Sequence, residues 1–317
     1  MTAYGMVFKA ALFLAPLSGY TSWPMRMLCR EQGAELCYTE MISAAGLLRK
    51  AGSARAILKR PEGDRPLIAQ IFTSSASEAA QAARVLEDEG FDGIDINMGC
   101  PVKKVVGKGA GVALMTDPAK ALSLVEAVVR SVDLPVSVKL RAGWDASSMN
   151  ACECASLFEA VGIDTVVLHP RTRTDMYRGT PRWGELERLA RTVKIPVVAS
   201  GDIRGVEDVE RARSLGARAF MVGRGAIGNP WIFRQLLGGG PPSLEEREDV
   251  MIRHLDALCS LHGSRLGVLH MRKFLSPYVK GVQGAARFRA QACTIDNPKA
   301  LEAAVRDFFA SQTGKAP

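Results

Sequence analysis

The feature that most constrains this fold is a regular alternation of short apolar runs with amphipathic helical stretches. Strands that are separated by helices pair in parallel through right-handed crossovers. The eight predicted strands are Ala11–Ala15, Leu36–Met41, Leu67–Phe72, Gly93–Met98, Val136–Leu140, Thr165–His169, Pro196–Ser200 and Ala217–Val222. The predicted helices between them include Ser77–Glu89, Pro118–Ser131, Ala151–Val161, Glu185–Thr192 and Val206–Leu215.

The number of these units favours one fold class over its nearest alternative. Eight strand–helix units within roughly 225 residues have the size of a (β/α)8 barrel. An open, doubly wound sheet is the second possibility, but it usually has only five or six strands. We therefore predict an α/β fold, a (β/α)8 TIM barrel followed by a C-terminal all-helical domain.

The predicted domain boundary lies at Gly238-Gly-Gly-Pro-Pro242, the one sharp break in composition. Glycine and proline at this density cannot continue a helix. Ser243 and Glu246 then have the spacing of a capping box that begins a new helix. We expect a barrel domain over residues 1–240 and a helical domain over 243–312.

Composition excludes several classes of protein. The 317-residue chain is 47% hydrophobic, which suits a soluble globular protein with one large and one small domain. No apolar run approaches the roughly 18 residues of a transmembrane helix, and the apolar stretch 6–17 lacks the flanks of a signal peptide. The seven cysteines are scattered without zinc spacing, so we expect reduced thiols and a cytoplasmic location.

The most informative strand is Gly93–Met98, which stops at the turn signal Gly99-Cys100-Pro101. Pro101 cannot continue a strand, so Cys100 is expected at the strand tip rather than inside the sheet. Asn97 and Cys100 would therefore present an amide and a thiol at the carboxyl end of a parallel strand. That end is where barrels and open α/β sheets carry their chemistry. A buried cysteine that only packs as a small hydrophobe is the alternative.

Polar residues recur at the same end of nearly every predicted strand. Lys139 lies inside a strand that looks buried, where a charge needs a negative partner or a role. The glycine-rich loops after the last two strands each precede a helix, which is the usual phosphate site of such barrels. Together these residues predict a mouth built for a phosphorylated, planar ligand. The recurring residues are Ala15–Gly19, Glu40, Gln70, Asn97, Cys100, Lys139, Arg141, His169, Arg171, Ser200–Asp202 and Gly223–Gly225.

Positive charge is clustered as well as abundant, with a net charge of +8. Two clusters follow predicted strands, and the stretch 257–295 contains no acidic residue. Such surfaces suit the phosphate backbone of a nucleic acid. A solvated charged face remains the alternative for the helical part. The clusters are Lys103, Lys104 and Lys108; then Arg171, Arg173, Arg178 and Arg182; and finally Arg265, Arg272, Lys273, Lys280, Arg287 and Arg289.

Several motifs together resemble the tRNA-dihydrouridine synthase family over about residues 10–310, nearly the whole chain. The motif around the cysteine is specific to this family among flavin barrels. The C-terminal stretches Met271-Arg-Lys-Phe274, Tyr278-x-Lys280-Gly281 and Arg287-Phe-Arg289 are similar to the bacterial B-type branch. The barrel motifs are Ala15-Pro-Leu-Ser-Gly19, Asn97-Met-Gly-Cys-Pro101, Gly107-x-Gly-x-Gly111, Lys139-Leu-Arg-x-Gly-Trp144, His169-x-Arg-Thr-Arg173, Gly201-Asp-Ile203 and Gly223-Arg-Gly225.

This resemblance implies FMN in the barrel, NADPH as the reductant and tRNA held with the help of the helical domain. It implies that a D-loop uridine becomes 5,6-dihydrouridine, with Cys100 as the general acid that protonates C5. The implied cofactor-binding residues are Pro16, Leu17, Ser18, Gln70, Lys139, His169, Ser200, Gly201, Asp202, Gly223 and Arg224. The implied substrate-binding residues are Asn97, Lys103, Lys104, Arg141, Arg171, Arg272, Lys273, Lys280 and Arg287.

Two positions depart from the family pattern, which usually has Asn at Ser200 and often Gly at Pro170. The sequence leaves open which tRNA uridine is modified, the oligomeric state, and whether His169 and Arg171 contact substrate or flavin. No metal site is expected, because the helical histidines lack convergent partners. Two rival functions remain: a flavin barrel that acts on a free pyrimidine, similar to dihydroorotate dehydrogenase, and an RNA-binding protein whose barrel is only a scaffold.

Overall fold

A computed structural model describes residues 2–313 and contains a closed barrel of eight parallel strands. Consecutive strands pair with each other around the barrel, and the eighth pairs with the first. The predicted (β/α)8 barrel is therefore confirmed. The strands are β1 (Leu12–Leu14), β2 (Leu36–Tyr38), β3 (Leu67–Phe72), β4 (Gly93–Met98), β5 (Val136–Gly143), β6 (Thr165–Thr172), β7 (Val197–Ser200) and β8 (Ala219–Val222).

Helices follow the strands, and several begin with the caps that their sequences predict. Ser75 accepts a hydrogen bond from the backbone of Glu78, and Asp117 accepts one from Lys120 just before Pro118. The helices from the first strand to the end of the barrel are Trp23–Glu31, Ala44–Leu48, Gly52–Leu58, Ala76–Asp88, Lys103–Val106, Pro118–Val129, Ala151–Ala160, Trp183–Thr192, Val206–Ser214 and Ile232–Leu236. Short 3-10 helices span Gly111–Thr116 and Arg224–Ala226, and a short strand, Ile42–Ser43, extends the pairing of β3.

Strands β5 and β6 continue further than the sequence predicts. Arg141 pairs with His169 and Gly143 pairs with Thr172, with an irregularity in register between Arg141 and Gly143. The two strands therefore extend together past their apolar cores. As a result Arg141 and Arg171 lie within paired strands, with both side chains buried.

A hairpin of two short strands, Thr2–Ala3 and Met6–Val7, closes the amino-terminal end of the barrel. Tyr4 occupies its turn with a positive φ of 54° and is buried among the inward side chains of the barrel, including Phe13. Its backbone N–H donates to the Thr165 hydroxyl at the start of β6. The chemistry of the barrel is thereby left to the opposite, carboxyl end.

The chain divides into two compact units. One comprises the described residues up to Trp23 together with Ala34–Arg224; the other comprises Pro24–Gly33 and the described residues from Gly225 onward. We call the second of these the helical unit. The segment Pro24–Gly33 belongs to it, although in the sequence this segment comes between strands β1 and β2. Within that unit Arg253 donates to both carboxylate oxygens of Glu31, at 3.0 and 2.9 Å.

The helical unit ends in four helices, Leu244–His262, Ser264–Tyr278, Ala285–Ala292 and Pro298–Thr313. Ser243 and Glu246 form the capping box that their spacing predicts, with the side chain of each bonded to the backbone of the other. The first of the four packs against the second and the fourth. Among residues 2–313, no helix has both the length and the apolar character needed to cross a membrane.

Candidate active site at the carboxyl end of the barrel

The turn that carries Cys100, residues 99–101, is held by side chains from two strands. The side-chain oxygen of Asn97 accepts hydrogen bonds from the backbone N–H groups of Gly99 (3.2 Å) and Cys100 (2.9 Å). The Arg141 Nε donates to the Gly99 carbonyl at 2.8 Å. We call residues 99–101 the Cys100 turn; its backbone is fixed before any ligand arrives.

The glycine run after this turn packs directly against the cysteine. The Val112 N–H donates to the Cys100 carbonyl at 3.2 Å, which brings the backbone at Gly111 close to the turn. A Cβ at Gly111 would lie 2.7 Å from that carbonyl oxygen and 3.2 Å from the Cys100 Cβ, and its φ is +63°. Only glycine fits there, so this part of the glycine run supports the cysteine.

The Cys100 thiol is partly exposed, and its surroundings keep it protonated. Burial raises its pKa above the ordinary value, while the Val102 backbone N–H and the nearby Arg141 oppose that rise. A protonated thiol can donate a proton, whereas nucleophilic cysteines have a lowered pKa. The thiol is therefore held in its neutral form.

Beneath the Cys100 turn, four side chains form a continuous chain of hydrogen bonds inside the barrel. The Asn97 amide nitrogen donates to the Gln70 side-chain oxygen at 2.8 Å, and the Gln70 amide nitrogen donates to Asp95 at 2.7 Å. The Ser137 hydroxyl donates to the other Asp95 oxygen at 2.5 Å. Burial raises the pKa of Asp95 to about 7 against these hydrogen bonds and the nearby Lys139.

Lys139 points to the same end of the barrel from β5. Its ammonium donates to the Ser200 hydroxyl at 3.3 Å. Burial lowers the pKa of Lys139 to about 8; Asp95 opposes this shift and Arg141 adds to it. Lys139 and Ser200 therefore lie within hydrogen-bond distance at the carboxyl end of the barrel, although β6 separates their strands.

His169 lies on β6, opposite Arg141 of β5, and is surrounded by several cations. Burial and the neighbouring Lys139, Arg141, Arg171 and Arg224 lower its pKa well below the usual value, so its ring is neutral. Gly201 has a φ of +103°, and a Cβ there would overlap the His169 ring. Glycine is thus required where β7 ends, because the ring and the backbone approach each other closely.

Arg171 is buried and fully engaged with protein partners. Its guanidinium donates to the carbonyls of Arg178 and Gly179, and it forms a 2.5 Å ion pair with Asp202. Its Nη1 lies 3.3 Å from the His169 Nε2. Arg171 therefore joins the loop after β6 to the end of β7.

Asp202 gathers three guanidinium groups. Besides Arg171, it pairs with Arg204 at 3.1 Å and Arg224 at 2.8 Å. Burial by itself would raise the pKa of Asp202, but these cations lower it below the ordinary value. The result is a cluster with excess positive charge, in which Arg224 remains exposed after β8.

The turn after β1 supplies backbone rather than charge. Pro16 and Leu17 are partly buried and Ser18 is exposed. The Leu17 N–H donates to the Thr21 hydroxyl at 2.9 Å, and the Gly19 N–H donates to Glu40 at 2.5 Å. Glu40, also named at a strand end, thus holds this turn in place.

The sequence did not single out Tyr177, an exposed residue in the loop after β6. The guanidinium of Arg224 lies 4.8 Å from the centre of its ring and that of Arg141 lies 5.4 Å away. An aromatic face beside cations is an arrangement on which nucleobases stack. The only available signal was an aromatic residue inside the arginine-rich run after β6.

The remaining predicted substrate contacts lie elsewhere on each unit. Lys103 and Lys104 are exposed in the short helix after the Cys100 turn. In the helical unit Lys280 and Arg287 are exposed. Arg272 and Lys273 are partly buried; Arg272 donates to the Ile295 carbonyl at 3.0 Å, and the Lys273 ammonium lies 3.2 Å from the His270 ring.

The donor set fits a phosphorylated, planar cofactor of the flavin mononucleotide type. Lys139 and Ser200 offer an ammonium and a hydroxyl at the end of β7, and Arg224 offers an exposed guanidinium after β8. Phosphate is bound by such cations together with backbone N–H groups. No group of three or more metal-ligating side chains occurs in the described part of the chain.

Comparison with known proteins agrees with this site. A family model described as dihydrouridine synthase (Dus) matches residues 13–313. A probable tRNA-dihydrouridine synthase of Rhizobium leguminosarum is 37% identical over 310 residues, which cover 98% of this chain and 98% of its own. The tRNA-dihydrouridine synthase B of Pseudomonas aeruginosa is 38% identical over 309 residues, covering 95% of this chain and 93% of its own.

Fold and site together define a TIM-barrel protein with a partly exposed, neutral cysteine thiol at the carboxyl end of the barrel. The chain belongs to the dihydrouridine synthase family, as the resemblance of its motifs predicts. The relatives include several with the B designation, in agreement with the similarity of the C-terminal motifs to the B-type branch.

Proposed function

We propose that this protein reduces uridine in tRNA to 5,6-dihydrouridine. The names of its relatives from R. leguminosarum and P. aeruginosa support this substrate and product. The observation that carries the proposal is the Cys100 thiol, partly exposed at the end of β4, with its pKa raised by burial. Reduction of a carbon–carbon double bond needs a hydride at one carbon and a proton at the other, and Cys100 is the proton donor.

We propose FMN as the bound cofactor and NADPH as the reductant. When bound, the flavin supplies the hydride for the uracil ring. The chain's own residues would hold and orient it. Gln70, Lys139 and His169 would contact the ring system, and Lys139 would favour negative charge on it through its ammonium group. The β1 turn of Pro16, Leu17 and Ser18 would lie against the ring, while Ser200, Gly201, Asp202, Gly223 and Arg224 would hold the ribityl chain and phosphate.

The roles of the residues around the uracil follow from their partners. Asn97 and Arg141 hold the Cys100 turn, so they would position the acid as well as the ring that it protonates. Arg171 would shape the loop that carries Tyr177, whose exposed ring offers a stacking face. A uridine in the folded tRNA must leave its stack to reach these groups.

The C-terminal helices of the helical unit, over about residues 243–312, are the proposed tRNA-binding domain. Their exposed cations are suited to phosphate contacts that are independent of sequence. Lys103 and Lys104 would add contacts beside the Cys100 turn, and the helical unit would add Arg272, Lys273, Lys280 and Arg287. Because tRNA is the substrate, we infer a cytoplasmic location.

The rival function, reduction of a free pyrimidine, explains the barrel and the acid cysteine equally well. It gives no reason for the basic helical unit, which a free nucleobase does not need. The experiment that separates the two uses purified protein with NADPH and either an unmodified tRNA transcript or free uracil and uridine. We expect dihydrouridine in digested tRNA by mass spectrometry and no reduced free base. Turnover of the free bases alone would refute the proposal.

A further inference from the structure

The side chains beneath Cys100 donate their hydrogen bonds in a single direction, toward Asp95. Above its pKa of about 7 the Asp95 carboxylate is ionised and only accepts hydrogen bonds, so Gln70 turns its amide nitrogen toward Asp95, 2.7 Å away. The Gln70 oxygen then faces Asn97, which must donate through its own amide nitrogen at 2.8 Å. This leaves the Asn97 oxygen toward the Cys100 turn.

The Cys100 turn, at the other end of these hydrogen bonds, requires the same orientation of the Asn97 and Gln70 amides. Its two backbone N–H groups, at Gly99 and Cys100, are donors and need an acceptor, which is the Asn97 oxygen. If either amide rotated by half a turn, donors would face donors. The carboxylate at one end and the backbone N–H groups at the other therefore select a single arrangement of both amides.

The other oxygen of Asp95 is held from the opposite end of the barrel. It accepts from the Ser137 hydroxyl at 2.5 Å, which in turn accepts from the Tyr4 hydroxyl at 3.0 Å. Tyr4 also bonds to the Tyr38 hydroxyl. All of these side chains except that of Asn97, which is 6% exposed, are completely or almost completely buried. Asp95 is thus the common acceptor of two chains of donors.

We propose that Asp95 is a positioning residue for Cys100, acting through Gln70 and Asn97 on the turn that carries the thiol. The side-chain hydrogen bonds of Asp95 go to Gln70 and Ser137 and not to the thiol. The catalytic role of Cys100 rests on the proposed function, but the control of the turn by Asp95 does not. The two can therefore be tested separately.

The test is amide hydrogen exchange of the protein with Asp95→Leu, read by mass spectrometry on the peptide that covers residues 98–103. Leucine has a similar branched shape and offers no acceptor. We expect exchange at Gly99 and Cys100 to accelerate at least tenfold, while the β6 and β7 peptides keep their protection. Unchanged exchange in the peptide, or equal acceleration in every strand, would overturn the proposal.

Two further variants complete the comparison. Gln70→Met interrupts the same chain with Asp95 in place, so it must accelerate exchange in the same peptide; if Asp95→Leu does not fold, this variant decides. Ser137→Ala is the matched control, since it removes a bond to the other Asp95 oxygen and should change exchange at Gly99 and Cys100 by less than twofold. If Ser137→Ala accelerates exchange at Gly99 and Cys100 as much as Gln70→Met does, the proposal that Asp95 acts on the turn through Gln70 is contradicted.

A second readout follows the thiol itself. Iodoacetamide labelling at Cys100, resolved by peptide mass spectrometry from Cys259 and Cys293, should accelerate about fivefold or more in Asp95→Leu because the turn is no longer held. Cys293 is exposed and should label at the wild-type rate. An unchanged Cys100 rate counts against Asp95. Activity of Cys100→Ala equal to that of wild type would instead refute the proposed function and leave the exchange result standing.

Discussion

The Cys100 turn and the helical unit use polar groups in opposite ways. Around Cys100 each polar side chain named above has protein partners, and several are buried: Asn97, Gln70, Asp95 and Arg141. In the helical unit Lys280 and Arg287 extend into solvent. Groups already paired and buried form a rigid site for chemistry, whereas exposed cations suit contacts that are weak, numerous and salt-dependent. We expect substitutions in the first region to lower kcat and those in the second to raise KM.

The largest expected effect comes from Cys100→Ala. Loss of a general acid typically costs about 100-fold or more in rate. We expect dihydrouridine formation to fall by that factor, with the flavin absorbance of the purified protein and the KM for tRNA unchanged. Cys293→Ala, which removes an exposed thiol, is the matched control and should keep full activity. If the Cys100→Ala enzyme is as active as the Cys293→Ala control, Cys100 is not the general acid.

A smaller effect, about tenfold, is expected for the charge of Lys139. Its pKa is lowered to about 8, so the ammonium loses its proton as pH rises through that value, and kcat should fall with it. Lys139→Arg keeps the charge to higher pH and should move this alkaline fall upward by a unit or more, even if its rate at pH 7 is lower. The measurement is the pH profile of kcat. An alkaline limb at the same pH in both proteins would assign it to another group.

A several-fold effect is expected for the exposed cations of the helical unit. Lys280→Ala and Arg287→Ala should raise the KM for tRNA, leave kcat within about twofold, and reduce the salt slope of binding by about 1 for each lost phosphate contact. Arg253→Ala is the control, because that arginine is already paired with Glu31 and Asp249. If Arg253→Ala weakens tRNA binding as much as the other two, the comparison between paired and exposed cations fails.

The last effect concerns stability and its dependence on pH. The folded-state pKa of Asp95 is about 7 against an unfolded value of 3.8, so its protonation stabilises the fold below that range, and this contribution is lost as pH rises from about 4 to about 7. Asp95→Asn cannot titrate. The Tm difference, variant minus wild type, should therefore decrease as the pH is lowered from 8 to 5. Other groups, such as His254, titrate alike in both proteins and cancel in the difference; a constant difference would contradict a raised pKa.

The fold could be read from the sequence where local signals and tertiary pairing agree. Leu67–Phe72 and Gly93–Met98 match the observed strands at both ends, because glycine, proline and polar residues flank these apolar runs. The extension of β5 and β6 could not be predicted from the local sequence pattern. The charged residues Arg141 and Arg171 are in strands only because the two strands continue to pair with each other beyond their apolar cores. Helix Trp23–Glu31 has ordinary amphipathic periodicity, which does not indicate the unit it joins.

The candidate site shows the same division. Position near the carboxyl end of a predicted strand pointed to Cys100, Lys139 and Ser200, and the structure brings Lys139 and Ser200 within hydrogen-bond distance. Asp95 lies in the middle of an apolar run, and its charge there was the one available signal. The hydrogen bonds that connect Asp95 through Ser137 to Tyr4 could not be predicted from the sequence. They depend on a hairpin turn with a positive φ that directs the Tyr4 ring into the barrel.

The most direct test of the central claim is a position-resolved map of dihydrouridine in tRNA from cells that lack this protein, complemented with wild type or with Cys100→Ala. We predict that one D-loop uridine loses its modification, that wild type restores it, and that Cys100→Ala does not. A map that is unchanged on removal of the protein, in cells without a second enzyme for that position, would contradict the account and favour the free-pyrimidine reaction.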